Sequence, residues 1–323
     1  MTQTARTADR PLLGITLMLG FCALAPMSDA LAKILGDEIP LLQLILVRFG
    51  AQAVMFVPLA LAMGVVLFPS ARVLSLTLLR TIFHIAGIGL MFTALRFLPI
   101  ADAVAIAFVM PFILLILGKL FLAEEVGARR MIACAVGFCG TLMVVQPSFV
   151  AVGWPAILPL LVAFVFAIFM LITRAMAKDI EPVAMQGLSA LVALPILLPM
   201  LAMPPGLGNP PPFAWVAATD NTLWLLLALG VTGAFAHLLM SASLRFAQAS
   251  ALAPMQYLEI PVATFVGWLI FQELPNGLAA LGICLTIAAG LYVIARERAI
   301  GLAQARAAST KAAVAQDPRT PAA

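Results

Sequence analysis

The sequence predicts an all-α integral membrane protein in which ten transmembrane helices form two inverted five-helix repeats. Three observations carry that prediction. The 323-residue chain is 64% hydrophobic and only 10% charged, with a mean hydropathy of +1.13, whereas a soluble domain carries roughly 25% charged residues. Its apolar residues fall into ten runs, each sized to the ~20 residues that a helix needs to cross a bilayer. Features of the first five runs recur 149 or 150 residues later in the second five.

Residues 1–11 are polar, carry Arg6 and Arg10, and form an N-terminal tail. The run that starts at Leu12 and ends near Leu35 is too long for the apolar core of a signal peptide and is followed by no small-residue cleavage site, so it is the first span. Runs at 41–68, 73–97, 100–122 and 128–147 complete a first unit over 12–147. Runs at 154–175, 182–203, 221–245, 249–272 and 276–295 make a second unit over 148–296, and 297–323 is an Ala-rich tail with scattered Arg and Lys. The segment 204–221 is too polar and too broken by proline to span. With the N terminus inside, Arg72, Arg80, Arg129, Arg130, Arg174, Lys178, Arg245 and the basic residues of both tails fall on the inner side, against Lys33 and Arg96 outside. That asymmetry predicts cytoplasmic termini and insertion in a bacterial inner (plasma) membrane, with lipid as a partner.

Other classes are set aside on the same residues. The net charge of +4 comes from basic residues scattered through short loops, not from a stripe that would track nucleic acid. Cys22, Cys134, Cys139 and Cys284 sit in apolar spans without a CxxC pair and read as small buried hydrophobes; no disulfide, metal site or cofactor is implied. No GxxxxGK[ST] loop is present to power transport by nucleotide hydrolysis.

The repeat is specific. Ala94-Leu95-Arg96-Phe97 recurs as Ser243-Leu244-Arg245-Phe246, and each copy leads into a span that opens on small residues, has a central proline (Pro111, Pro261) and ends in an acid (Glu124, Glu273). The following spans share Gly140 and Gly290. Five spans per unit is an odd number, so the two units lie in opposite orientations. Inverted repeats with interrupted helices are the architecture of secondary transporters, which hold substrate near the midplane. The two Ala94–Glu124-like segments resemble the paired EamA domains of the drug/metabolite transporter superfamily, and the resemblance covers about residues 12–296. It implies ten helices around a central cavity and movement of small metabolites, in a family that includes amino-acid exporters and carriers for riboflavin or S-adenosylmethionine.

Candidate substrate residues are the polar groups held inside apolar spans, which are costly there and usually face a cavity or a partner. Gln256, Tyr257 and Glu259 precede Pro261, which cannot donate to the carbonyl of Tyr257, so they form a polar notch that the general family pattern lacks. Glu259 reads as a counter-charge for a cation or as a proton carrier; a structural hydrogen bond is the plainer alternative. Asp29, after Pro26 and Ser28, is a second proton-coupling candidate beside a second interrupted helix, unless it pairs with Lys33 four residues on. Arg48 could clamp a carboxylate or pair with Asp29 or Glu259. His84 and His237 lie in equivalent spans, and His237 and Ser241 share a face; they could relay protons or bond between helices. Phe108 and Phe112 would cover an apolar part of the ligand. Small residues at Ala133, Gly137 and Thr141 and at Gly282, Thr286 and Gly290 form seams within the fold or a homodimer contact.

The expected function is a secondary active transporter for a small polar or amphipathic organic metabolite, cationic or zwitterionic, such as an amino-acid-like compound or a quaternary amine. It would work by alternating access, coupled to protons or by exchange. A larger or anionic cargo (a flavin, nucleoside derivative or organic acid) is the alternative substrate class. An integral-membrane enzyme is the alternative of another kind, but it would need clustered His, Asp and Glu that neither histidine provides.

Overall fold

The computed structural model describes residues 10–67, 70–123, 127–145, 153–207 and 210–272, and part of 277–299. Every regular element among them is helical: α1 (Pro11–Leu35), α2 (Leu41–Ala62), α3 (Ala71–Ala94), α4 (Ile100–Ala107), α5 (Met110–Leu122), α6 (Ala128–Val145), α7 (Ile157–Met176), α8 (Pro182–Leu197), α9 (Asp220–Phe246), α10 (Ala249–Gln256) and α11 (Glu259–Phe271). Within 277–299 the described residues are helical too. Helices α1, α2, α3, α7, α9 and α8 with its 3₁₀ extension are long and apolar enough to cross a membrane. The protein is an all-α integral membrane protein.

The fourth and ninth spans are each two short helices placed end to end. The bounds of α4 and α5 recur in α10 and α11 at a constant offset of 149, and both copies end on a left-handed residue, Ala123 (φ 50°) and Gln272 (φ 58°). Proline explains the break, because Pro111 and Pro261 cannot donate to the carbonyls of Ala107 and Tyr257. The freed carbonyl of Tyr257 does not stay open as expected: the Ile260 N–H takes it at 3.2 Å, so the backbone tightens by one residue. Nor does Pro26 interrupt α1, which runs on through it. A single lost backbone bond is tolerated where the helix is packed along its length.

The two units interleave. The α1 helix packs along α9, and α3 along α7, two pairings that the repeat exchanges, while α2 packs on its own counterpart α8. Glycine makes the close approaches feasible: a Cβ on Gly14 would lie 2.5 Å from Ala247 Cβ, and one on Gly230 would lie 2.6 Å from Ala51 Cβ. The small-residue seam on α6 works inside the fold at Gly137, whose face takes the ring of Tyr257. Glu124, Glu273, Thr286, Gly290 and both tails lie outside the described residues, as does the side chain of Thr141.

Hydrogen bonds tie the helix ends into two caps. At the end bearing the N terminus, Arg10 N–H donates to the Phe246 carbonyl (2.8 Å), Arg245 pairs with Glu181 (2.7 Å) and Arg72 with Asp179 (3.1 Å). At the opposite end Gln43 grips the backbone of Val216, donating to its carbonyl (2.8 Å) and accepting from its N–H (2.9 Å). Arg96 donates there to the Ile39 carbonyl (3.2 Å), with Asp37 as its charged neighbour; the side chain of Asp102, its expected partner, lies outside the described residues. Three further expectations change. Arg80 is not a loop charge but is buried within the bundle, and Cys139 and Cys284 are exposed on its flank. Lys33 donates to the Leu98 carbonyl (3.3 Å) and covers the Phe271 ring, while Asp29 has Arg48 as its charged neighbour.

Candidate functional site

A cavity of about 630 Å³, counting its mouth, lies between the middle of the bundle and the end opposite the N terminus. It straddles the repeat axis: Met110 and Glu259, which begin the second half-helix of each copy and stand 149 apart, both line it. The wall is mostly apolar, with Phe21 from α1, Met91 and Phe92 from α3, Phe108 from the α4–α5 break and Phe166 from α7. Four ionisable side chains interrupt it: Asp29, Arg48, His237 and Glu259. Binding sites for organic molecules have this character, an apolar enclosure with a few convergent polar groups.

The charged end is built from three helices. Arg48 on α2 is buried, donates through Nη1 to Ser28 Oγ at 2.8 Å, and lies over the Phe92 ring with its carbon 5.7 Å from the centroid. Gly233 on α9 gives the guanidinium room, because a Cβ there would stand 2.7 Å from Cζ. Asp29, one residue after Ser28, interacts electrostatically with both Arg48 and Glu259. Two carboxylates and one guanidinium thus share one side of an aromatic chamber.

The other sequence candidates fall behind this wall. Gln256 does not line the cavity; its Nε2 approaches Met170 Sδ (3.2 Å), and its Oε1 is buried without a hydrogen-bond partner among the described residues. Tyr257 is fully buried, lies flat on Gly137 and donates to the Phe108 carbonyl. Phe112 packs edge-on against Phe138. Ser28 orients Arg48. His84 stands behind His237, with Nε2 atoms 3.3 Å apart.

Ser241 belongs to a polar cluster on the N-terminal side of the cavity. There Arg80 donates to Thr173 (2.8 Å), Ser189 (2.6 Å) and Ser241 (3.1 Å), its guanidinium 4.5 Å from the Phe169 centroid. Gln186 donates to Ser241 (2.7 Å) and the His237 carbonyl (2.6 Å), and Gln52 donates to Gln186. Sequence reading left out Gln52, Gln186 and the wall residues Phe21, Met91, Phe92 and Phe166. The glutamines carried a usable signal, being amides inside apolar spans. The wall residues carried none, since lipid-facing and cavity-facing aromatics look alike in a sequence.

The sequence pattern of the EamA-like transporter family matches residues 12–146 and again 153–296. The chain belongs to that family. This EamA-like transporter is 29% identical over 220 residues to a riboflavin transporter of Rhizobium johnstonii, covering 68% of this chain and 70% of that one. It is 24% identical over 285 residues to an S-adenosylmethionine uptake transporter of Rickettsia prowazekii, covering 88% and 93%. A solved crystal structure shares its fold with a TM-score of 0.69 at 17% identity, covering 90% of this chain and 98% of the other. The protein is a membrane transporter.

Proposed function

We propose that this EamA-like transporter moves an amphipathic organic metabolite with a ring-bearing apolar part and a cationic or zwitterionic polar end. The observation that carries the reading is the placement of Asp29, Glu259 and Arg48 along one aromatic-walled cavity. Two carboxylates match an amine or other cation, and Arg48 matches a carboxylate on the same ligand. Phe21, Phe92, Phe108 and Phe166 stack on its ring. The similarity to a protein named for S-adenosylmethionine uptake supports a zwitterionic, ring-bearing cargo. A neutral flavin-like cargo is the second reading, favoured by the aromatic wall and by the similarity to a riboflavin transporter.

The two units rock about the central cavity and expose it to each side in turn. The buried Arg80 cluster and the ion pairs at the N-terminal end close the cytoplasmic side in this conformation, so loading is from the outside. Both termini are cytoplasmic in a bacterial inner membrane, as the basic residues imply. Glu259 and Asp29 are the carriers for a coupled proton.

The test is a thermal-shift screen in detergent with amino acids, quaternary amines, flavins and S-adenosylmethionine, followed by uptake into proteoliposomes. A ligand that binds only the folded state raises the melting temperature by mass action. A cationic or zwitterionic hit that is lost in Glu259→Gln and Asp29→Asn supports the reading. An anionic hit that depends on Arg48 alone, or full uptake by Glu259→Gln, overturns it.

A further inference from the structure

The histidine pair is the part of the site that the charge-based reading leaves unused. His237 walls the cavity between Phe21 and Phe166, each ring centroid 5.9 Å from its own. It is only 3% exposed. Its Nε2 lies 3.3 Å from Nε2 of His84, which is itself enclosed by a stacked Phe169 (4.5 Å) and an edge-on Phe49 (5.2 Å). Both Nδ1 atoms are buried with no hydrogen-bond partner among the described residues. An unmet buried polar atom costs free energy, and each one in a native structure calls for an explanation. With Nε2 of His237 engaged by His84, Nδ1 is the ring's remaining polar atom.

The chemistry of the pair follows from hydrogen counting. A neutral imidazole carries one N–H and one bare nitrogen. A 3.3 Å Nε2–Nε2 contact requires a bare nitrogen on one side, so at least one ring is neutral, and the pair is taken with one hydrogen on each ring. The short Nε2–Nε2 contact needs one hydrogen between the rings, which fixes them in opposite tautomers. If His237 supplies that hydrogen, its Nδ1 is an acceptor. If His84 supplies it, Nδ1 of His237 carries a hydrogen and donates.

Resting on the proposal that this cavity binds the transported molecule, we propose that the His84–His237 pair is a tautomeric selector: His237 Nδ1 bonds an uncharged heteroaromatic edge of the substrate, and His84 sets whether it donates or accepts. The class of ligand is a fused-ring heterocycle with an amidine-like or imide-like edge, whose ring stacks on the aromatic wall of the cavity. His237 contacts the ligand, and His84 is a positioning residue.

These are the protein's two histidines, so ¹⁵N-histidine labelling of the full-length protein gives a spectrum of four ring nitrogens. In the free protein the two rings are expected as opposite neutral tautomers; identical tautomers or a doubly protonated ring overturn the proposal. With riboflavin and S-adenosylmethionine as probes, the one that stabilises the protein is expected to shift Nδ1 of His237 and, through the shared hydrogen, both nitrogens of His84. His237→Phe is expected to weaken that probe about 2- to 10-fold, the range of one hydrogen bond. His84→Phe should weaken it similarly, and His84→Gln, which keeps a donor and an acceptor, should restore it. A probe that binds wild type and His237→Phe alike overturns the selector but leaves the cavity reading intact. If neither probe binds, the proposed substrate class fails, and the free-protein tautomers still decide the pair.

Discussion

The hydroxyl of Tyr257 donates to the carbonyl of Phe108 at 3.3 Å, and these residues stand 149 apart, the offset that relates the two repeats. The two helix breaks therefore meet each other, ring beside ring, with centroids 5.4 Å apart. Tyr257 clamps the break opposite to it and closes the floor behind the cavity.

That clamp depends on a glycine. A Cβ at Gly137 would stand 2.6 Å from Cδ2 of the Tyr257 ring, which packing holds on its other side. Gly137→Ala is expected to destabilise the protein by about 1–3 kcal/mol, as overpacking does. Adding Tyr257→Leu should recover part of that loss, so the melting temperatures of the two single variants and the double variant should be non-additive. Additive effects would show that the ring and the glycine do not share a contact.

Gly233 makes the analogous prediction for binding. An alanine there places its Cβ 2.7 Å from the carbon of the Arg48 guanidinium and 2.9 Å from Nε and Nη1. The guanidinium must leave Ser28 and the cavity wall, so uptake of a carboxylate-bearing substrate should fall at least tenfold while the fold persists. Arg48→Lys should not substitute, since an ammonium lacks the planar fork. Normal uptake by Gly233→Ala would separate Arg48 from recognition.

Arg80 gathers three hydroxyls from three other helices, α7, α8 and α9. Arg80→Ala removes a large buried side chain and leaves those hydroxyls to find new partners, with an expected loss of about 3 kcal/mol or more. Arg80→Lys should recover only part of it. Denaturation in mixed detergent micelles measures both.

In the proposed transport cycle the ion pairs at the N-terminal end belong to the closed side. Arg245–Glu181 is half-buried and Arg72–Asp179 more exposed, so each is weak alone. Glu181→Gln with Asp179→Asn is expected to shift the equilibrium toward opening at that end. A Thr77→Cys reporter, about one turn from Arg80 toward that end and outside its hydrogen bonds, should then react faster with a maleimide reagent supplied from the cytoplasmic side. Unchanged labelling would mean that the Arg80 cluster holds the closure by itself.

Much of the fold was legible because its causes are local. Length and hydropathy decide that a segment spans a bilayer, and Pro111 and Pro261 decide where two spans break, so the repeat could be read from Ala94–Glu124 and Ser243–Glu273 alone. Glu259, Asp29, Arg48 and His237 were also readable as site candidates, since an ionisable group within an apolar span stands out in any sequence. What the sequence could not supply is which way each group faces. Gln256 and Tyr257 sit within three residues of Glu259, yet they turn away from the cavity because the break between Gln256 and Glu259 changes the helix phase. Arg80 resembled a topology charge until α7, α8 and α9 brought hydroxyls around it. The aromatic chamber and the histidine pair join residues separated by up to 238 positions, from Phe21 to Glu259, and only the interleaving of the two repeats, a packing property of the whole bundle, brings them together.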